Sequence, residues 1–415
     1  MCTTVVVSFD LIRPGEPPVS LAIGSLLANC ADRPHAELEI RHVSINLLEV
    51  EGEAAVDLAE ARVLDANLSQ EDVVAISAYV WSEPLTQSLI RRLRGRGFAG
   101  TIVLGGYQVS YAAKEELPAL YPGVDVFITG YGEAALRKAL SAPRCTGYPL
   151  VLEEPVTFEE LQSPYLTGAI PVAMGQQMVR LESKRGCPFR CSFCAHRDLR
   201  GNRVHRYSID RVREELRFMR DHGVGKINFV DPVFNQGPDY LPLMEYMVEI
   251  GLESQIALQS RFELIRGDEG ERFLELATEL GAHLEFGLQT AMEDEGRHIN
   301  RRNRMAAVAD VMRALARRGI SYEVSLIYGL PGQTLASFEQ SIHFVRDNGC
   351  ERVVAWPLML LRGTELFSQR EKWQFRERAQ GGFGIPVVYE SSSFDEREWL
   401  AMKSVAEGLA PHTRV

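Results

Sequence analysis

Three cysteines close together carry the densest chemistry in this chain. They stand in the run Cys187-Pro188-Phe189-Arg190-Cys191-Ser192-Phe193-Cys194, a C-x3-C-x2-C spacing. Three thiolates so placed can bind three irons of a cubane cluster and leave the fourth iron without a protein ligand, as a cluster that binds and reduces a substrate requires. The alternative is a zinc site with His196 or His205 as fourth ligand, although structural zinc sites usually pair two cysteine knuckles and no second pair is present. Cys2, Cys30, Cys145 and Cys350 are scattered and read as small apolar residues.

The cysteines follow a short strand pattern, Val179–Ser183, so they fall on a loop at a strand's carboxyl end, where a βα barrel keeps its reacting groups. Further strands are predicted at Lys226–Val230, Gln255–Leu258, His283–Gly287, Tyr322–Ile327 and Arg352–Trp356. Helical periodicity lies between them at Ile209–Asp221, Leu241–Gly251, Glu271–Leu280, Ala306–Arg318 and Leu335–Asn348. These units predict a partial (β/α)6 barrel over 177–357, followed by a tail, 358–415, with one helix at Glu396–Gly408.

An earlier alternating series precedes the barrel. Strands at Thr4–Ser8, Leu38–Val43, Val73–Ser77, Thr101–Leu104 and Val124–Ile128 alternate with helices at Leu21–Cys30, Ala54–Asn67, Pro84–Arg96, Ala112–Leu120 and Glu133–Ser141. Right-handed βαβ units of this length predict an α/β domain over 1–141 with a doubly wound parallel sheet, whose ligands bind outside the strands' carboxyl ends. Residues 142–176, interrupted by Pro143, Pro149, Pro155, Pro164 and Pro171, read as a linker.

Composition bounds the partners. The 415 residues carry 45 basic and 56 acidic side chains, a formal charge of −11, which argues against a broad nucleic-acid footprint. No apolar run reaches the roughly 18 residues of a membrane helix. The start, Met1-Cys2-Thr3-Thr4-Val5, lacks the basic segment of a secretion signal. A soluble, cytoplasmic chain without a disulfide framework is expected.

Cys187, Cys191 and Cys194, with Phe193 before the last, resemble the signature of the radical S-adenosylmethionine (radical SAM) superfamily. The run Ser183-Lys184-Arg185-Gly186-Cys187-Pro188-Phe189-Arg190-Cys191 and the two-domain order resemble its subgroup with an N-terminal cobalamin-binding-type domain, over roughly 1–365. The resemblance implies that the three cysteines ligate a [4Fe–4S] cluster whose open iron chelates S-adenosylmethionine. Reductive cleavage of that cofactor then yields methionine and a 5′-deoxyadenosyl radical, with electrons from a donor such as flavodoxin or ferredoxin.

Other positions follow from the same resemblance. The resemblance places Phe193 as a contact of S-adenosylmethionine. Asp231, ending the second barrel strand, would meet the methionine ammonium, where a carboxylate makes charge-assisted hydrogen bonds; its other reading is a helix N-cap. Glu285-Phe286-Gly287-Leu288-Gln289 resembles an E-x-G-x-Q segment, with Glu285 and Gln289 as cofactor contacts on one strand face. Gly329-Leu330-Pro331-Gly332-Gln333-Thr334 resembles the turn beside the adenine, with Gly329 and Pro331 as contacts. Arg261, Arg301 and Arg302 are possible partners for an anionic group and otherwise read as surface arginines.

In the N-terminal domain, Asp10 and Gly15 fit the outline of a D-x-H-x-x-G cobalamin loop, but Ile12 stands where that loop has its cobalt-ligating histidine. Ser77 and the pair Gly105-Gly106 fit the later positions; an ordinary turn also explains the glycines. The resulting expectation is a radical enzyme acting on a small molecule or peptide in specialised metabolism, by cobalamin-dependent methylation at an unactivated carbon. Cobalamin-free dehydration, epimerisation or rearrangement is the alternative. Methylthiolation of transfer RNA would call for a third cysteine cluster in the N-terminal domain, and a zinc-stabilised binding module is the non-enzymatic reading.

Overall fold

A computed structural model describes residues 2–30, 38–140, 149–196 and 202–409. Cys145, Pro143 and the chain's last residues lie outside these. The chain divides into two compact units, Met1–Val172 with Gln380–Ile385, and Ala173–Ala379 with Pro386–Val415.

The first unit runs β1 (Cys2–Asp10), α1 (Leu21–Cys30), β2 (Leu38–Asn46), α2 (Gly52–Leu64), β3 (Val73–Ser77), α3 (Glu83–Gly95), β4 (Thr101–Gly105), the short α4 (Tyr107–Ser110) and α5 (Leu117–Leu120), β5 (Val126–Ile128), α6 (Gly132–Ala139) and β6 (Leu150–Leu152). Its parallel strands are ordered β2-β1-β3-β4-β5-β6. The reversal at β1 sends crossovers to opposite faces, so both faces are covered and the centre of β1, Val5-Val6-Val7, is apolar on both sides rather than alternating. Val5, Val7 and Phe9 pack into one core with Val56, Leu89 and Leu93, while Val6 packs into the other with Ile23, Ala135 and Leu136. Burying each such side chain contributes on the order of 1.5–3 kcal/mol. The crevice of such a sheet opens at the switch point, outside the carboxyl ends of β1 and β3. The stretch expected as a linker contributes β6 to this sheet, paired with β5.

The second unit begins with β7 (Met178–Leu181), β8 (Lys184–Arg185) and β9 (His205–Arg206). It continues through α7 (Ile209–Asp221), β10 (Lys226–Phe229), α8 (Tyr240–Glu249), β11 (Gln255–Ser260), α9 (Gly267–Glu279), β12 (His283–Gln289), α10 (Glu293–His298), α11 (Met305–Arg318), β13 (Tyr322–Tyr328), α12 (Leu335–Asp347) and β14 (Val353–Pro357). The short α13 (Glu365–Ser368), the paired β15 (Arg376–Gln380) and β16 (Ile385–Glu390), and α14 (Glu396–Glu407) follow.

The main sheet of this unit is ordered β14-β13-β12-β11-β10-β7, so β7 and β14 are its free edges and the barrel stays open. Strictly sequential order makes every right-handed crossover return on the same side, which puts all the helices on one face. The strands record it. Leu284, Phe286 and Leu288 of β12 are buried, whereas Glu285, Gly287 and Gln289 are half-exposed on the uncovered face. Helix α7 matches with Val212, Leu216 and Met219 buried at helical spacing.

Candidate functional site

The three cysteines stand where β7 delivers them. Past its end, β8 pairs antiparallel with β9, Lys184 opposite Arg206 and Arg185 opposite His205, so the loop leaves and returns through a short ladder. Gly186 makes the exit possible. Its φ is +85°, and a Cβ there would stand 2.2 Å from the Arg203 carbonyl oxygen. Cys187 and Cys191 are buried and Cys194 is half-buried. The loop is pinned by Ser192 N–H donating to the Ile299 carbonyl at 2.9 Å and by the Asn300 amide donating to the Arg190 carbonyl at 2.7 Å.

Burial pushes the Cys187 thiol up, opposed by the Phe189 N–H and by Arg261 and Arg301. Burial also pushes the Cys194 thiol up, to about 11, with Cys191 and Cys187 adding to the shift and the His196 N–H and Arg301 opposing it. The thiols thus feel one another and two guanidinium groups, the setting an anionic metal–sulfur group needs. Among the described residues, no three His, Cys, Asp or Glu side chains could hold a single metal ion together. A cubane instead asks its thiolates to stand at separate corners, and three cysteines fit that donor set.

Arg261 and Arg301 are not surface residues. Both are buried, at 7% and 8% exposure. The Arg261 guanidinium lies 3.6 Å from the Phe189 ring centroid and pairs with Glu263 at 3.3 Å. Arg301 Nη1 lies 3.6 Å from Cys191 Sγ, and its Nη2 donates to the Gly287 carbonyl. Arg302 is exposed as expected. Arginine is ordinarily a surface residue, so the sequence alone undervalues the buried pair, and only the tertiary path brings them under the cysteine loop.

Asp231 is fully buried with both oxygens engaged. Its Oδ1 accepts the Ser183 N–H at 2.7 Å and the Lys184 N–H at 3.3 Å; its Oδ2 accepts the Ser183 hydroxyl and lies 3.9 Å from Lys184 Nζ. The Lys184 ammonium donates to the Phe234 and Gln236 carbonyls at 2.7 Å each. The N-cap position of α8 is held by Asp239, so Asp231 does not cap that helix.

Glu285 and Gln289 share a face, yet they sit four residues apart, roughly 13 Å along a strand. Glu285 is opposite Gln259 and Glu323 in the ladder. Burial raises its carboxyl, Glu323 adds to the shift, and His283, Lys226 and a hydrogen bond from Gln259 oppose it. Gln289 lies at a bulge with φ +74°.

The turn after β13 is self-contained. Gln333 Oε1 accepts the Gly329 and Leu330 N–H groups at 2.7 and 3.1 Å, while its amide donates to the Ile327 carbonyl at 3.1 Å and to Glu295 at 3.3 Å. Glu295 is buried and also accepts from Thr290 and Ser337, tying the ends of β12 and β13 to α12. His298 Nδ1 faces the Pro331 carbonyl at 3.1 Å. Glu295, Gln333 and His298 were not among the expected residues; the sequence signal for them is weak, since each works only through tertiary partners. Phe193 is half-buried on the cysteine loop.

In the first unit, Asp10, Ser77 and Gly105-Gly106 end the adjacent strands β1, β3 and β4, and Ser77 pairs in register with Gly105. Asp10 Oδ2 accepts the Ser8 hydroxyl and, at 3.2 Å, the Ser44 hydroxyl; Ser8 Oγ lies 2.9 Å from His42 Nε2. Gly106 has φ +101°, and a Cβ would come within 2.7 Å of the Ala78 carbonyl oxygen, so packing alone requires this glycine; Gly105 has no such crowding. Gly15 has φ +85°. Asn46 brackets the Ile12 backbone, accepting its N–H at 3.1 Å and donating to its carbonyl at 2.9 Å. The rim loops carry half-buried Ile12, Tyr79, Trp81 and Tyr107, with Tyr79 and Trp81 stacked at 4.7 Å. A flat, largely apolar macrocycle suits such a rim, and Ile12 offers no ligand to a metal at its centre.

Residues 181–345 match the radical SAM superfamily, so the chain carries a radical SAM domain. The chain is 25% identical over 314 residues to the 2-(S-pantetheinyl)-carbapenam-3-carboxylate methyltransferase of Streptantibioticus cattleyicolor, covering 68% of this chain and 46% of the relative. It is 23% identical over 329 residues to the cobalamin-dependent radical SAM methyltransferase TokK of Streptomyces tokunonensis, covering 70% and 47%. The chain thus spans about half the length of these relatives. Among solved structures, the radical S-adenosylmethionine methyltransferase TsrM of Kitasatospora setae, with tryptophan and a SAM analogue bound, superposes with a TM-score of 0.73 at 14% identity, over 99% of this chain and 90% of that one. The chain therefore shares the α/β fold of that structure, with a radical SAM domain over 181–345. Among the described residues no helix is long and apolar enough to cross a membrane.

Proposed function

We propose that the chain is a radical SAM enzyme of specialised metabolism that methylates an unactivated carbon of a small molecule or peptide, with cobalamin as methyl carrier. Cys187, Cys191 and Cys194 would hold a [4Fe–4S] cluster, which when bound supplies the electron that splits the C5′–S bond of S-adenosylmethionine. The observation that carries the reading is the three-thiol loop at the carboxyl end of β7 with Arg301 Nη1 3.6 Å from Cys191 Sγ.

The protein's own groups do the rest. Arg261 and Arg301 offset the negative charge of thiolates and sulfide in a buried setting. Phe189 and Phe193 shield that setting from water. Gln289 and Glu285 offer acceptors along the uncovered face, and Gly329 with Pro331 shapes the rim of β13. In the first unit, Ser77 and Gly105, in register at the ends of adjacent strands, would receive a nucleotide tail, with Asp10 and Gly15 in the loop beside it. The names of the relatives, two of them methyltransferases with a comparable span, support methylation. We place the enzyme in the cytoplasm, reduced by flavodoxin or ferredoxin and without a nucleic-acid partner.

The cobalamin-free alternative draws support from one observation: Asp10 is engaged by Ser8 and Ser44 inside the sheet. The deciding experiment is anaerobic purification followed by iron, sulfide and corrin analysis, with S-adenosylhomocysteine and 5′-deoxyadenosine measured under reduction. About four irons with labile sulfide, and both products, are expected. One zinc without sulfide would overturn the reading.

A further inference from the structure

We infer that Asp231 is a positioning residue for the cysteine loop rather than a ligand of S-adenosylmethionine, and that with Ser183 and Lys184 it forms a buried clamp that sets where Cys187 stands. This rests on the reading of the three cysteines as cluster ligands.

A carboxylate that binds a cofactor ammonium needs a lone pair facing the ligand, but Asp231 has no exposure at all. Its Oδ1 is occupied by the backbone N–H groups of Ser183 and Lys184, and its Oδ2 by the Ser183 hydroxyl with the Lys184 ammonium at 3.9 Å. All these donors lie in the stretch between β7 and Cys187. Lys184 is buried nearly as deeply, and beyond Asp231 its ammonium meets the Phe234 and Gln236 carbonyls and the Phe234 ring. Leaving such a charge in a dry interior is costly unless a counter-charge is fixed nearby. Asp231 is that counter-charge, and it comes from the segment just past β10, the strand that pairs with β7. The loop's starting point is thereby locked to the sheet two residues before Gly186 turns the chain into Cys187. The Ser183 carbonyl completes the lock by accepting the Tyr207 N–H at 3.0 Å, from the residue just past the strand that closes the loop.

The test uses the full chain with its cluster reconstituted anaerobically. In Asp231→Asn, the cluster should be held about ten- to a hundredfold more weakly than in the wild type, read as faster iron loss to a chelator. The reduced cluster's electron paramagnetic resonance spectrum should shift, and the clusters that survive should bind S-adenosylmethionine with unchanged affinity. Ser183→Ala, which removes one bond and no charge, should shift both readouts in the same direction by less, and it decides the matter if the asparagine variant does not fold. Wild-type cluster retention in both variants, or retention together with weakened S-adenosylmethionine binding in Asp231→Asn, overturns the clamp. A wild-type protein that assembles no cluster overturns the proposed function instead.

Discussion

The side-chain amide of Gln289 folds back over the Cα of Gly287, so that a Cβ on Gly287 would stand 2.4 Å from Gln289 Nε2. The same glycine lends its carbonyl to Arg301, whose other nitrogen reaches Cys191. Gly287 is thus the floor on which an amide and a guanidinium lie beside the cysteine loop. Gly287→Ala should displace Gln289 while leaving the cluster in place. If Gln289 contacts S-adenosylmethionine, affinity falls by roughly ten- to a hundredfold, the worth of one hydrogen bond to a charged group. Isothermal titration with S-adenosylmethionine checks it, and unchanged affinity would remove Gln289 from the cofactor site.

The cysteines themselves give the plainest test. Replacing Cys187, Cys191 and Cys194 together with alanine should leave a folded chain without iron or labile sulfide, and 5′-deoxyadenosine should not form under anaerobic reduction. A triple variant that still cleaves S-adenosylmethionine would exclude these residues as the cluster ligands.

Gly186 should be intolerant of any side chain. Its φ of +85° and the Arg203 carbonyl oxygen, 2.2 Å from where a Cβ would stand, both oppose Gly186→Ala. The conformation alone costs on the order of 1–3 kcal/mol. Lower cluster occupancy with an earlier thermal transition is expected, read by iron content and circular dichroism.

Glu285 ties stability to pH. Burial and Glu323 raise its carboxyl in the folded chain, so the native state holds its proton to higher pH than the unfolded one. The group therefore favours the native state least at neutral pH, and its burden disappears as pH falls below the ordinary glutamate value of about 4.3. Glu285→Gln should raise the urea midpoint at pH 7 and leave it unchanged in acid. A midpoint that falls at pH 7 would show that the ionised carboxylate is stabilised in place.

Four barrel strands, β7, β10, β12 and β13, were legible because each has one buried and one half-exposed face, a pattern that alternation announces, while β11 and β14 read as short apolar runs. Predicted and observed bounds agree within two residues at most strand ends. The first sheet was harder at its edges. β1 and β2 pair from Cys2 with Leu38 to Asp10 with Asn46, so pairing extends both strands well past their β-branched cores. β6 has three residues and exists because β5 offers it an edge. At the site, the cysteine spacing and the E-x-G-x-Q alternation could be read directly. The burial of Lys184, Arg261 and Arg301 could not, because each charge also depends on partners distant in sequence: Asp231, the Phe189 ring and the Gly287 carbonyl.

Cobalamin is where the chain's own residues make the sharpest demand. Ile12, held by Asn46 through its N–H and carbonyl, presents a half-buried aliphatic side chain on the loop after β1. No imidazole stands there, so a corrin bound at this rim would have its lower face against carbon, with both its own base and any histidine off the metal. Protein purified anaerobically from a cobalamin-replete host should carry near-stoichiometric corrin with the absorbance of that base-off, histidine-off form. Ile12→His should then convert the spectrum to a nitrogen-ligated one without loss of corrin, because the backbone bracket from Asn46 does not depend on the side chain. Gly105→Val, which fills the uncrowded strand end beside Ser77, should lower corrin content while leaving iron and sulfide unchanged. Should wild-type protein remain free of corrin after reconstitution yet make 5′-deoxyadenosine, the rim does not bind cobalamin, and radical dehydration, epimerisation or rearrangement becomes the reaction to seek.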